Sequence, residues 1–221
     1  MNALLAAAAL AVTSHRTVAP AAFVPAATPA PIVVPLTLVV EEGSGWDAAG
    51  KPEAVLGKAS AIFERCGVSL GTTEVYTARW SAEALATLND ENPYKGPAQM
   101  RVLDASIPAG RPIAFLFGDG SIASTAKAYN LQSVEVFRRQ YPDAAKMLNT
   151  FWITFGQETR RKPDLGPTYS VFAHELTHLL GNLPHTPAHP NLMTDDEGAG
   201  AKSGDLDPGQ CAEVRKRYGL P

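Results

Sequence analysis

Cysteine is nearly absent. The 221 residues hold two, which excludes a disulfide-dense scaffold and leaves room for a single bridge. Neither sign of charge dominates: a formal net charge of −3 and a pI near 5.9 give no basic footprint, so nucleic acid is not expected as a partner. Internal repeats are lacking. So are apolar runs long enough to cross a bilayer: Leu4 to Val12 has the length of a signal-peptide core and falls short of a membrane span.

That run and the Pro/Ala-rich stretch after it set residues 1–31 apart as an export leader. No Lys or Arg precedes the run, so the amino terminus supplies its only positive charge, and a buried or frayed alanine helix is the alternative. Pro20, Pro25, Pro29, Pro31 and Pro35 keep residues 18–35 extended. From residue 32 to 221 the chain suits one domain, with 45% apolar residues overall to build its core. Export would let Cys66 and Cys211 form a disulfide, with two buried thiols as the other possibility.

Leu36–Val40 is an apolar run that predicts a strand. Pro52 to Cys66 repeats apolar residues at helical spacing and ends at Gly67, and Val68 to Trp80 alternates as a strand. Strand, helix, strand implies a right-handed crossover and a parallel pair. Further on, 81–88 predicts a short helix, 112–117 a central strand, 122–129 an edge strand, 131–148 a helix interrupted at Pro142, and 151–155 a strand. The polar stretch 156–167 reads as loop. Asp207-Pro208 opens a final helix through Arg217.

Four of the five histidines fall within residues 174–189. His174 and His178, four apart on a helix, project within about 40° of each other, as two ligands of one cation must. Glu175, rotated by roughly 100°, stays off the cation yet within reach of a water beside it. The apolar stripe from Val171 to Leu180 supports the helix. Thr168 or Ser170 can cap it, and Gly181-Asn182 supplies the stop, with glycine suited to the left-handed turn that sends the chain back. A third donor would then return from outside the helix: His185 first, with His189 or a distant carboxylate such as Glu213 as alternatives.

These residues resemble the metzincin zinc proteases, whose signature H-E-x-x-H-x-x-G-x-x-H precedes a methionine turn under the metal. His174, Glu175, His178, Gly181 and Met193 match. The family's third-ligand slot is Pro184 here, and His185 comes one residue late, a loop longer by one. The resemblance implies an α+β fold with a twisted mixed sheet, two long helices, the zinc helix in the cleft and a small C-terminal lobe. It implies a zinc-dependent endopeptidase that cleaves peptide bonds through a zinc-bound water, with Glu175 as general base, His174, His178 and His185 as Zn2+ ligands and Met193 in the turn. The edge strand, roughly 122–128, would pair with an extended polypeptide substrate, and a secreted or periplasmic monomer is expected.

The sequence departs from some family members at Asp195, where they carry a supporting tyrosine. Tyr218 or Tyr169 would have to replace it. Asp195, Asp196 and Glu197 form a calcium candidate or a solvated acidic loop. Two rival functions stay open: an exported zinc- or peptide-binding module whose catalysis has decayed, and a zinc hydrolase of non-peptide amides.

Overall fold

The first predicted strand, helix and strand lie where their periodicity puts them. In the computed structural model, β2 spans Ile32–Glu41, α1 Lys51–Phe63 and β3 Val68–Arg79, and β2 and β3 pair in parallel. The last turn of the predicted helix tightens into a 3-10 turn, Glu64–Cys66, and Gly67 closes it at φ 70°. Described are residues 11–18, 32–89, 102, 112–122, 127–129, 150–159, 166–188, 190–194 and 202–216. The helix expected over 131–148 lies outside them.

Two more strands, β4 (Ile113–Phe117) and β6 (Thr150–Thr154), continue the parallel set, and β5 (Lys127–Tyr129) adds an antiparallel edge against β6. With β1 (Ala11–Val18) on the far side, the mixed sheet has six strands in the order β1-β3-β2-β4-β6-β5. The expected edge strand is thus present over 127–129, the terminal part of its predicted range.

β4 and β6 are buried throughout, as strands covered on both faces must be. On one face Ala114, Leu116, Phe151 and Ile153 meet Leu56, Ile62 and Phe63 of α1 and Phe172 and Leu176 of the histidine helix, α4 (Val171–Gly181). On the other, Phe115, Phe117 and Trp152 meet Trp80 and the short helix α2 (Ala82–Leu88), which Ser81 caps.

Three expectations are corrected. Residues 11–18, read as leader, form β1 and pair antiparallel with β3, so strand pairing starts ahead of residue 32. Val12, Thr13, Thr17 and Val18 are β-branched, and the outer edge of β3 offers backbone groups to pair with. Composition alone hid this because, among its described side chains, Thr13 to Thr17 are exposed and only Val18 is buried. Next, Phe155 ends the strand instead of extending it. It opens a helical turn, α3 (Phe155–Thr159), inside the stretch read as loop. The third concerns Gly181 and is given with the metal centre.

The C-terminal helix, α5 (Pro208–Lys216), packs on α4 and is tied to the end of α1 by the Cys66–Cys211 disulfide. Arg65 pairs with Asp205, and Arg215 Nη1 donates to the Cys66 carbonyl at 3.1 Å. No helix among the described residues is long and apolar enough to cross a membrane.

Candidate metal centre

The histidine helix is fixed at its start by side-chain acceptors. Ser170 Oγ accepts from Ala173 N at 3.2 Å, and Glu158, on α3, accepts from Phe172 N at 2.9 Å and from the Ser170 hydroxyl at 3.2 Å. A carboxylate at this end also complements the helix dipole. Burial raises the Glu158 carboxyl above its ordinary pKa, against the opposing effect of these hydrogen bonds and of Lys58 at 3.5 Å. Phe172 seats the helix on the sheet by an edge contact with Phe151, ring centroids 5.1 Å apart.

At the other end Gly181 is still helical, and Asn182 takes the left-handed turn at φ 51°, ψ 33°. This corrects the expectation that glycine would make it. Asn tolerates that conformation better than other residues with a side chain. Glycine at 181 is required by packing: a Cβ there would lie 2.8 Å from Leu183 Cγ and 3.1 Å from Val214 Cγ2. The two adjacent residues divide between them the close approach and the turn.

The loop so reversed brings His185 back over the helix. His174 Nε2 lies 3.1 Å from His185 Nε2 and 3.2 Å from His178 Nε2, and His178 Nε2 lies 3.1 Å from His185 Nε2. The two helical rings are held from behind. His174 Nδ1 donates to the Leu192 carbonyl at 2.7 Å and His178 Nδ1 to the Leu183 carbonyl at 2.6 Å. Each ring then presents an unprotonated Nε2 to the other. Two lone pairs at that distance repel unless a cation or a proton lies between them.

Protonation of His174 or His178 does not fill the gap at ordinary pH. Burial, reinforced by the neighbouring histidines, holds His174 down to about 3, and burial likewise holds His178 down to about 4, against the hydrogen bonds at Nδ1. Four nitrogens placed tetrahedrally about 2.0 to 2.1 Å from zinc are roughly 3.3 Å apart. The observed triangle fits a divalent ion of that size. Among the described residues these three histidines are the group able to hold a metal, and they run from buried His174 to exposed His185, so one side of the group faces solvent.

Glu175 is buried beside His174 on the same helix. Of the alternative third donors, Glu213 is exposed on α5 and pairs with Lys216 at 3.7 Å, while His189 and the acidic residues 195–197 lie outside the described residues, as does Tyr218. Tyr169 is buried, with its ring centroid 6.2 Å from that of His174, and the Lys202 ammonium stands 5.7 Å from the Tyr169 ring. Lys202 also adds to the positive field that lowers the His174 pKa. Nothing local in the sequence marked this lysine.

Met193 is fully buried in a turn over 191–194, next to Leu192, whose carbonyl meets His174. Its carbonyl accepts from Thr186 N at 2.8 Å, one residue after His185, and Thr194 Oγ1 donates to the Ala188 carbonyl at 2.8 Å. The turn therefore fixes the backbone that delivers the third imidazole and, through the Leu192 carbonyl, the tautomer of the first. Compared with protein-family models and with curated proteins, the chain matches none.

Proposed function

We propose that this chain is an exported, zinc-dependent endopeptidase of metzincin type. One observation carries the reading: three imidazole Nε2 atoms stand 3.1 to 3.2 Å apart with Glu175 on the same helix. His174, His178 and His185 would hold the ion. Bound zinc would supply Lewis acidity, making a water more acidic and a peptide carbonyl more electrophilic. Glu175 takes the proton of the attacking water and returns it to the leaving nitrogen. The Leu192 and Leu183 carbonyls keep His174 and His178 in the tautomer that leaves Nε2 free to bind.

The layout supports this reading. α4 packs against β5 and β6, so the sheet edge formed by β5 lies next to the histidine helix, where an extended peptide would add as a further strand. Residues 202–216, with α5, would serve as the lower lobe. The disulfide suits an oxidising compartment. Neutral imidazole donors and one nearby carboxylate favour zinc over calcium or magnesium, which take oxygen ligands.

The test is Glu175→Gln. The variant should bind one zinc per chain and lose peptidase activity by about a hundredfold or more on a casein or peptide-library digest, with chelator-treated wild type as the reference. Undiminished cleavage by the variant would remove Glu175 from its role. A wild type that takes up zinc one to one yet cuts no peptide would favour the decayed binding module.

A further inference from the structure

Asn191 and Gln210 take no part in the proposed chemistry, yet both are polar and buried, 4% and 9% exposed. Their amides face each other. Asn191 Nδ2 donates to Gln210 Oε1 at 2.8 Å, and Gln210 Nε2 donates back to Asn191 Oδ1 at 3.2 Å. A reciprocal pair of this kind fixes the rotation of both amides, since turning either would set donor against donor. Asn191 Oδ1 also accepts from Met193 N at 2.8 Å, which locks the turn that carries the Leu192 carbonyl.

From that turn two of the three imidazoles are controlled. The Leu192 carbonyl receives the His174 Nδ1 proton, and the Met193 carbonyl receives Thr186 N next to His185. Gln210 itself is anchored on α5. Its N donates to Asp207 Oδ1 at 2.8 Å and its Oε1 accepts from Asp207 N at 2.9 Å, a reciprocal helix cap. The disulfide cysteine Cys211 follows at once, so the anchor is fastened covalently to α1.

We propose that Gln210 is a positioning residue of the metal centre: through its amide pair with Asn191 it holds the 191–194 turn, and with it the tautomer of His174 and the approach of His185. This rests on reading the three imidazoles as a metal site. Outer partners that orient metal ligands typically matter by 10- to 100-fold in affinity. Gln210 acts one residue further out, so the low end of that range is expected.

The experiment uses the full chain, with two readouts: the 15N imidazole spectrum of the metal-free protein and zinc affinity by chelator competition. Wild type should show His174 protonated at Nδ1. Gln210→Met keeps the volume and removes the amide; it should mix the His174 tautomers and weaken zinc about tenfold. Gln210→Glu keeps the acceptor for Asn191 Nδ2 and should recover part of both. Asp207→Ala breaks the cap bond to Gln210 N without touching Asn191, and should move tautomer and affinity less than Gln210→Met does.

Wild-type tautomer and affinity in a folded Gln210→Met would overturn the proposal. So would Asp207→Ala matching Gln210→Met, because the effect would then belong to the helix cap. Should the wild type take up no zinc, the proposed function fails on that result, while the tautomer spectra still decide the role of Gln210.

Discussion

In its metal-free form the protein should unfold in acid more readily than its composition suggests. In the folded chain His174 protonates only near 3 and His178 near 4, because the one is buried and the other half-buried beside further basic groups, whereas the unfolded chain protonates them near 6.5. Between those values the unfolded state binds more protons, so stability is full above about 6.5 and falls as pH drops toward 4. At pH 5 each ring forgoes about 1.5 units of protonation at 1.36 kcal/mol per unit, so the pair removes about 3 to 4 kcal/mol relative to pH 7. For a domain worth roughly 5 to 15 kcal/mol, that is a large fraction.

The assay is urea unfolding of the metal-free protein at pH 7 and pH 5, beside a His174→Leu/His178→Leu variant. The raised pKa of Glu158 acts with the opposite sign: its ionisation penalty is relieved as pH falls, and comparison with the variant cancels it. The wild type should lose stability across this window and the variant should not. Equal pH slopes in the two proteins would refute the account of how these rings are held. Zinc should raise the wild-type stability at pH 7 by mass action, in proportion to its occupancy of the folded state.

Two further outcomes follow from the packing. Cys66→Ser/Cys211→Ser opens a bridge spanning 145 residues, which the chain-entropy model values at about 5 kcal/mol; a loss of about 3 to 5 kcal/mol in urea is expected, and no loss would mean that α5 is held without it. Removing residues 1–31 takes away β1, whose described side chains bury only Val18, so the remainder should fold with a loss near 2 kcal/mol or less, read from the urea midpoint. Failure of that shortened chain to fold would make β1 integral to the domain.

What was legible in the sequence is what local spacing encodes. The i, i+4 histidines, the apolar stripe of α4, and the β2, α1, β3 succession each declare themselves within a short window, and Cys66 with Cys211 allowed a single pairing. His185 was legible as a candidate because the helix had a visible stop shortly before it. The residue that makes the turn was not, because Gly181 and Asn182 both tolerate a left-handed backbone and the contact with Leu183 and Val214 decided between them. β1 escaped because its partner, β3, is some sixty residues away and its exposed side chains carry no apolar signature. The amide pair of Asn191 and Gln210 escaped because its members lie 19 residues apart with no periodic spacing to link them, although Asp207 and Gln210, three apart before a helix, had the spacing of a cap.

The central claim is that the three imidazoles take up one ion between them. X-ray absorption at the zinc edge on the one-to-one loaded protein, repeated on His185→Ala, tests it most directly. Wild type should show three imidazole nitrogens at about 2.0 to 2.1 Å, with one fewer in the variant and an affinity lowered with it. A wild-type spectrum with fewer than three imidazoles, or one unchanged by His185→Ala, would contradict it.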